Sequence, residues 1–462
     1  MTALESFLRP ASVAVVGASE RATSSGGAIV RNLRRAGFAG RIVPVNPKGG
    51  TVDGLDAATS LAALGEPVEL VIVAVRPDLI PAVVEEAAAS SHRSLLVLPG
   101  GFAEAGPEGV RREAEVAALA KQAGITIGGP NCAGTIHLDP ARPFAATFLR
   151  DLPPGGGLAL ISQSGAIAEQ VIAQANRHSI PFGSIVSVGN GLHLGIADYL
   201  EALGDDPNCT AVMLYLESVP DYYGFIDTAR LVTAKKPVVA LLGGRTPVGG
   251  QAARAHTGGQ AMAEAQARVF CEEAGMIQAT SLRRLLLAAK AFGAVPEGLG
   301  RRFLIVSNSG GPGVLTADRL VHEELDLPPL PDPLAARLRG ILPVEATVAN
   351  PLDLLADARE DRFGDTLEAV RDHAGDAFDA VLMIHIVPFM VDGGPVVERL
   401  AALAPTLGVP AFHAMMGTLP DKVAWFAALE AVGVAMFDDA EEMAEAAGLA
   451  AQYPSIRASL MV

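Results

Sequence analysis

Three cysteines, one tryptophan and no apolar run long enough to cross a bilayer set the first limits on this chain of 462 residues. Cys132, Cys209 and Cys271 lie far apart and form no C-x-x-C pair, which argues against a disulfide framework or a structural zinc site. A reducing cytoplasm is the setting expected. No segment approaches the roughly 20 apolar residues of a spanning helix, and Met1-Thr-Ala-Leu-Glu opens without a basic region, so no membrane partner is expected. Basic residues are in deficit as well. Lys and Arg number 35 against 51 Asp and Glu, and a formal charge of -16 argues against nucleic acid as the partner. Aromatics are scarce at 5%, whereas Gly (49), Pro (32) and a half-hydrophobic composition fit α/β units better than a β-sandwich. No His or Cys spacing marks a metal site.

What the chain does contain is a regular alternation. Short apolar runs at Ser12-Val-Ala-Val-Val, Arg41-Ile-Val-Pro-Val, Leu70-Val-Ile-Val, Ser94-Leu-Leu-Val and Ile125-Thr-Ile-Gly read as buried parallel strands. Helical stretches at 80–90 and 108–123 separate the later ones. After the punctuation Pro153-Pro-Gly-Gly-Gly a second series follows, at Leu158, Ser184, Ala211 and Pro237. A third series follows Val295-Pro-Glu-Gly, at Phe303, Ala380 and Pro410. The expected fold is therefore α/β with three doubly wound domains, over residues 1–145, 146–295 and 296–462.

The second and third series open on an echo. Leu158-Ala-Leu-Ile-Ser-Gln-Ser-Gly and Phe303-Leu-Ile-Val-Ser-Asn-Ser-Gly are each a strand, a Ser-x-Ser-Gly turn and a helix-forming stretch. Such turns leave free N–H groups at the positive end of a helix, an arrangement that favours phosphate. Ser caps of tight turns are the plainer reading of either alone. Two matching turns suggest two helix starts facing one phosphoryl group.

The first turn, Gly17-Ala-Ser, does not match the dinucleotide fingerprint G-x-G-x-x-G. Where an acidic residue would hold a nicotinamide ribose, the sequence has Val45-Asn-Pro-Lys-Gly-Gly. Lys48 suits a multiply phosphorylated nucleotide such as CoA better than NAD. Asn131, in Gly129-Pro-Asn-Cys-Ala-Gly, falls at the carboxyl edge of the same sheet, and Cys132 reads as a packed or site-lining thiol.

The richest stretch is Gly243-Gly-Arg-Thr-Pro-Val-Gly-Gly-Gln-Ala-Ala-Arg-Ala-His-Thr-Gly-Gly, read as a glycine-rich loop after a strand. A neutral imidazole can attack a phosphoryl centre and carry it as a phosphoramidate. His256, with Arg245 and Arg254 nearby in sequence, has that company. It needs an acceptor for its other ring nitrogen, and Glu217, closing the strand that should neighbour this one, is the candidate. His137 and His193 are read as loop residues, and His385 and His413 as packing residues.

These motifs, with Gly101-Phe-Ala-Glu-Ala-Gly, Ala255-His-Thr-Gly and Asn350-Pro-Leu-Asp, run in an order that resembles the α subunit of ADP-forming acetyl-CoA synthetases, relatives of succinyl-CoA synthetase. The resemblance implies a Rossmann-like CoA-binding domain and two flavodoxin-like domains. It implies that His256 is the phosphohistidine and that Glu217 orients it. It places CoA on Gly17, Ala18, Ser19, Lys48, Val75, Pro77 and Asn131. Phosphate would lie on Ser162, Ser164, Gly165, Asn308, Gly310, Gly311 and Gly313. The activity implied is interconversion of carboxylic acid, CoA and ATP with acyl-CoA, ADP and phosphate. No ATP-grasp segment is legible, so a separate β subunit holding ATP or ADP and Mg2+ is expected, in an α2β2 assembly. Gly191-Leu-His-Leu-Gly-Ile departs from a more acidic family stretch, which leaves the acyl group open. The rivals are a non-catalytic CoA-binding regulator with a relic histidine segment and, less favoured, an NAD-dependent oxidoreductase.

Overall fold

The computed structural model describes residues 4–257, 262–389 and 391–461, excluding the side chains of 255–257. The chain divides into two compact units, Met1–Leu286 and Leu287–Val462.

The first unit holds two sheets. Its N-terminal sheet is built from β1 (Ser12–Val16), β2 (Arg41–Val45), β5 (Leu70–Val73), β6 (Ser94–Val97) and β7 (Thr126–Gly128), with a small β3 (Thr51–Val52)/β4 (Leu55–Asp56) hairpin beside it. All five strands are parallel, in the order β2-β1-β5-β6-β7. β5 and β6 are buried at every residue, as strands covered by helices on both faces require.

The hairpin β8 (Gly134–Asp139) and β9 (Arg142–Thr147) leaves this sheet and joins the second one. There β8 pairs antiparallel with β11 (Phe182–Ser187). The remaining strands are β10 (Leu158–Ser162), β12 (Ala211–Leu216), β13 (Val238–Leu242) and β14 (Ile277–Ala279). The order is β14-β13-β12-β10-β11-β8-β9. Because β8 is the edge extension, residues 134–147 belong by pairing to the second sheet, although the sequence reading kept them through 145 in the first domain. One apolar cluster spans both sheets, joining Val13 and Ile72 of the first to Ile161 and Leu214 of the second.

The second unit has β15 (Phe303–Ser307), β16 (Leu352–Asp353), β17 (Ala380–Val387), β18 (Ala411–Gly417) and β19 (Ala435–Phe437), ordered β16-β15-β17-β18-β19 and all parallel. Its core is filled by Leu304, Phe363, Met383 and Met436 among others.

Counting only the parallel strands, each sheet has the same winding: second, first, third, fourth, fifth. In this winding the chain reverses direction across the sheet between the first and third strands. The helices on either side diverge there and open a crevice at the carboxyl edge, where ligands of such sheets bind. The three crevices lie at β1/β5, β10/β12 and β15/β17. Among the described residues no helix is long and apolar enough to cross a membrane.

Candidate functional site

At the first crevice, Gly17 has φ +91°, and a Cβ there would meet the Ala74 carbonyl oxygen at 2.5 Å. The backbone of β1 therefore turns directly against the end of β5, a position only glycine fits. Ala18 is fully buried, and its carbonyl accepts from the Asn46 amide at 2.8 Å. Lys48 is exposed.

The second crevice is closed by a side chain. Gln163 follows β10, and its Oε1 accepts from the backbone N–H groups of Glu217 and of Ser218 (3.0 Å), while its Nε2 donates to the Ser218 carbonyl at 3.0 Å. The turn itself is shaped by Ser162, whose Oγ accepts from Ser164 N–H (3.1 Å) and donates to the Ser164 carbonyl (2.7 Å). Ser162 is fully buried, so its hydroxyl builds the turn and faces no ligand. Helix Gly165–His178 then starts from Ser164, which caps Ile167 N–H at 3.4 Å. The N–H groups of Gly165 and Ala166 are left without an acceptor among the described residues, as the first turn of a helix demands.

Glu217 stands beside this helix start. It closes β12, whose Leu216 is in register with Leu242 of β13, and Gly243 N–H donates to the Leu216 carbonyl at 2.7 Å. The carboxylate is nine-tenths buried, and its Oε2 has no hydrogen-bond partner among the described residues. A Cβ on Gly243 would come within 3.7 Å of Glu217 Cγ and 2.8 Å of the Tyr215 hydroxyl. Burial and the adjacent Glu217 carboxylate push the Tyr215 phenol up to about 12. A buried carboxylate oxygen with no donor costs about 1–3 kcal/mol or more, so it signals a missing donor.

The segment that leaves β13 here carries His256. Where a glycine-rich loop was expected, residues Pro247–Thr257 form a helix. Thr246 caps it, with its Oγ1 accepting from Gly249 N–H at 3.1 Å, Pro247 starts it, and Ala252, Ala253 and Ala255 outweigh Gly249 and Gly250. His256 lies in that helix, and its side chain is outside the described residues. Arg245 is taken up as a brace, donating to Glu264 and to the carbonyls of Leu242 (3.1 Å) and Thr280. Arg254 is exposed.

A cleft of about 760 Å³ runs from the first crevice to the second. Val75, Pro77, Asn131, Ser164 and Gly165 of the expected site line it, together with Cys132, Phe148, Gln163 and Glu169. Gly17, Ala18, Ser19, Lys48 and Ser162 do not. Burial pushes the Cys132 thiol up to about 12, which rules it out as a nucleophile near neutrality and agrees with a packed thiol.

A polar bridge along the cleft was not legible in the sequence. Asn131 donates to Asn190 Oδ1 at 3.3 Å, and Asn190 Nδ2 donates to Glu104 and Glu113 at 2.8 Å each. Glu104 also accepts from the N–H groups of Gly101 (2.5 Å) and Phe102 (3.1 Å). Burial raises the Glu104 pKa, but Asn190 and these backbone donors outweigh it and hold the carboxyl below the usual range. Glu104 sits in the Gly101-Phe-Ala-Glu-Ala-Gly motif, which was the one available signal.

In the second unit the echo repeats in atomic detail. Ser307 Oγ donates to the Ser309 carbonyl (2.7 Å) and accepts from its N–H (3.0 Å). Asn308 takes the place of Gln163, accepting from Ile386 N–H at 2.8 Å and donating to the Ile386 carbonyl at 2.9 Å. Asn308 is thus a clamp across the β15/β17 crevice. Helix Gly310–His322 begins with Gly310 and Gly311 exposed, and Gly313 is buried against Ser307.

His137 is not a loop residue: it lies in β8, fully packed, with Nδ1 2.7 Å from Ser184 Oγ. His193 lies in a loop, where its Nδ1 accepts from Ile127 N–H at 3.1 Å. His385 and His413 lie in β17 and β18 and are buried, their rings stacked 6.1 Å apart. Among the described residues no cluster of His, Cys, Asp and Glu could hold a metal.

The crevices and the cleft define a class: a doubly wound sheet of the nucleotide-binding kind joined to a flavodoxin-like sheet. The CoA binding domain family matches residues 11–138, and the succinyl-CoA ligase like flavodoxin domain family matches residues 155–292. The chain is 33% identical over 385 residues to the ADP-forming acetate–CoA ligase II subunit alpha of Pyrococcus furiosus, covering 83% of each. It is 34% identical over 365 residues to the ADP-forming acetate–CoA ligase I of Archaeoglobus fulgidus, covering 79% of this chain and 52% of that protein. The chain thus spans about half the length of several curated relatives it matches. A solved structure of Ca. Korarchaeum cryptofilum acetyl-coenzyme A synthetase 1, in complex with phosphate and ADP, aligns over 99% of this chain and 98% of that one, with a TM-score of 0.92 at 29% identity. The chain belongs to the ADP-forming acetate–CoA ligase family.

Proposed function

We propose that this chain is the CoA- and phosphohistidine-bearing part of an ADP-forming acyl-CoA synthetase, with His256 as phosphate carrier and Glu217 as its orienting acceptor. The observation that carries this reading is the Oε2 of Glu217, without a hydrogen-bond partner among the described residues and buried beside the first residues of the segment that leads to His256. A carboxylate there accepts an imidazole N–H, fixes the tautomer and leaves the other nitrogen free to attack phosphorus.

In the synthetic direction, phospho-His256 gives its phosphoryl group to a carboxylate oxygen of the acid: the N–P bond breaks and an O–P bond forms. The CoA thiol, losing its proton, then attacks the carbonyl carbon of the acyl phosphate. A C–S bond forms, the C–O bond to phosphate breaks, and inorganic phosphate leaves. The free N–H groups of Gly165 and Ala166, at a helix start fixed by Ser162 and Gln163, suit a phosphoryl group carrying distributed negative charge. Val75, Pro77 and Asn131 flank the arm of CoA in the cleft. ATP, held with Mg2+ on an ATP-grasp β subunit, would rephosphorylate His256 and leave as ADP, and the cytoplasm is the compartment that fits. Family resemblance and the α-subunit relatives support that partner and an α2β2 assembly.

The first half-reaction tests this reading without nucleotide. Incubated with acetyl-CoA and phosphate, the chain should release free CoA thiol and form acetyl phosphate at a rate that vanishes when either the chain or phosphate is omitted. CoA binding without thiol release or acetyl phosphate above the protein-free rate would instead favour a regulatory CoA-binding protein.

A further inference from the structure

Two acids converge on one amide nitrogen in the first unit. Asn190 Nδ2 donates to Glu104 and to Glu113 at 2.8 Å each. Both acids are also committed to backbone N–H groups: Glu104 accepts from Gly101 and Phe102, and Glu113 accepts from Ala103 at 3.2 Å. A carboxylate can only accept, so the nitrogen of the Asn190 amide, and not its oxygen, must face the acids. Asn190 Oδ1 is thereby turned the other way, and its 3.3 Å contact with Asn131 requires a donor from Asn131. Asn131 must therefore offer its nitrogen to Asn190, which leaves its oxygen pointing away. The amide of an asparagine has two ends of the same shape, and here the acids decide which way both side chains turn.

The backbone holds both asparagines still. Asn131 N–H donates to the Pro99 carbonyl at 3.0 Å, and Asn190 N–H to the Pro130 carbonyl at 2.9 Å. Of the four residues in the network, Asn131 alone lines the cleft, beside Gly100. A Cβ on Gly100 would lie 3.0 Å from Asn131 Oδ1 and 3.0 Å from Glu104 Oε1, so glycine there keeps that amide oxygen uncovered. Among the described residues no donor reaches Asn131 Oδ1. Ala133, two residues on, packs against Gly165, its Cβ 3.1 Å from where one on Gly165 would lie. Asn131 thus stands at the end of the cleft nearest the helix start suited to phosphate. A free acceptor at that place calls for a donor, and the arm of CoA carries amide N–H groups and a terminal S–H. Resting on the CoA reading above, we infer that Glu104, Glu113 and Asn190 are positioning residues for the reaction. They act through Asn131, fixing its amide so that Oδ1 accepts a hydrogen bond from the thiol-bearing arm and the thiol is held against the acyl phosphate.

Double-mutant cycles on the full chain test this, with CoA and acetyl-CoA each titrated by calorimetry and the KM for acetyl-CoA taken from acetyl phosphate formation. Asn131→Ala should weaken binding about tenfold, the worth of one hydrogen bond. In Glu104→Gln the oxygen stays with the Gly101 and Phe102 N–H groups, so the new NH2 confronts that of Asn190, and binding should weaken by a similar factor. In the Asn131→Ala background the same change should weaken it no further. Asn190→Ala gives a second cycle with the same expectation, and thermal melting checks that each variant folds. KM should rise with kcat little changed, whereas a role in folding alone would lower kcat through lost active protein at unchanged KM. Equal losses for the two ligands assign the donor to an arm amide, and a loss confined to CoA assigns it to the thiol hydrogen that acetyl-CoA lacks. If Asn131→Ala or Glu104→Gln binds like the unaltered chain, or if the losses add in the double variant, the inference is overturned while the CoA reading stands. If the unaltered chain binds neither ligand, the CoA reading itself fails and this inference with it.

Discussion

Gln163 holds Glu217 by the backbone: the amide of one accepts the N–H of the other across 54 residues of sequence, and donates back to the carbonyl of Ser218. That staple closes the β10/β12 crevice and sets a helix start beside a buried carboxylate. Replacing Gln163 with Ala leaves two N–H groups and a carbonyl without their partner. It should cost about 1–3 kcal/mol of stability and lower phosphoryl transfer at His256 well beyond the loss of folded protein. Glu at this position keeps the acceptor but loses the donor, and denaturant melts of the three proteins should rank Gln, then Glu, then Ala.

Glu217→Gln removes a buried charge while keeping shape. The variant should fold at least as well as the parent, because a partly unsatisfied buried carboxylate is costly. Acyl phosphate formation from acetyl-CoA and phosphate should persist, whereas phosphorylation of His256 should slow by roughly 100-fold, the scale of a lost acid–base partner. A variant slowed equally in both steps would mean that Glu217 holds the fold rather than the imidazole.

Asn308→Ala tests whether the echo in the second unit is structural. Two hydrogen bonds to Ile386 vanish, at 2.8 and 2.9 Å, and the unit containing Phe303–Ser307 should lose about 2 kcal/mol. Hydrogen exchange at the Ile386 amide should quicken, while exchange in β12 stays unchanged.

The second unit should be acid-sensitive. Burial lowers the pKa of His385 to about 4, and burial with the neighbouring His385 lowers that of His413 to about 3. Both rings are therefore neutral when folded but bind protons near pH 6.5 when unfolded. The unfolded state gains the protons first, so stability is highest above about pH 6.5 and falls as pH drops toward 4, by about 1.4 kcal/mol per pH unit for each histidine. Urea midpoints measured from pH 7 to 4 should show this slope, and His413→Phe should flatten it.

Much of the fold was legible because buried parallel strands announce themselves as apolar runs. Ser12–Val16, Leu70–Val73 and Phe303–Ser307 lie where their runs predict. The hairpin at residues 134–147 did not announce itself, since its alternate sheet is chosen by pairing with β11, 50 residues away in sequence and invisible to local pattern. The helix carrying His256 was hidden by Gly249 and Gly250, although Thr246-Pro247 and three alanines pointed to it. At the site, Glu217 was found from its strand end alone. Gln163 was noticed only as the variable letter in Ser-x-Ser-Gly, and Asn308 was expected on phosphate rather than as a clamp, because an amide clamping a neighbouring strand leaves no periodic trace. Glu104 and Glu113, on a short 3-10 turn and the helix after it, meet Asn190 from a turn some 80 residues on, and nothing in their spacing links them.

The central claim is that one imidazole beside a buried acid carries phosphate. With acetyl-CoA and radiolabelled phosphate but no nucleotide, the chain should acquire an acid-labile, alkali-stable label, which peptide mapping places on His256 and which His256→Asn abolishes. A label that survives in His256→Asn, or that maps to another residue, would contradict it.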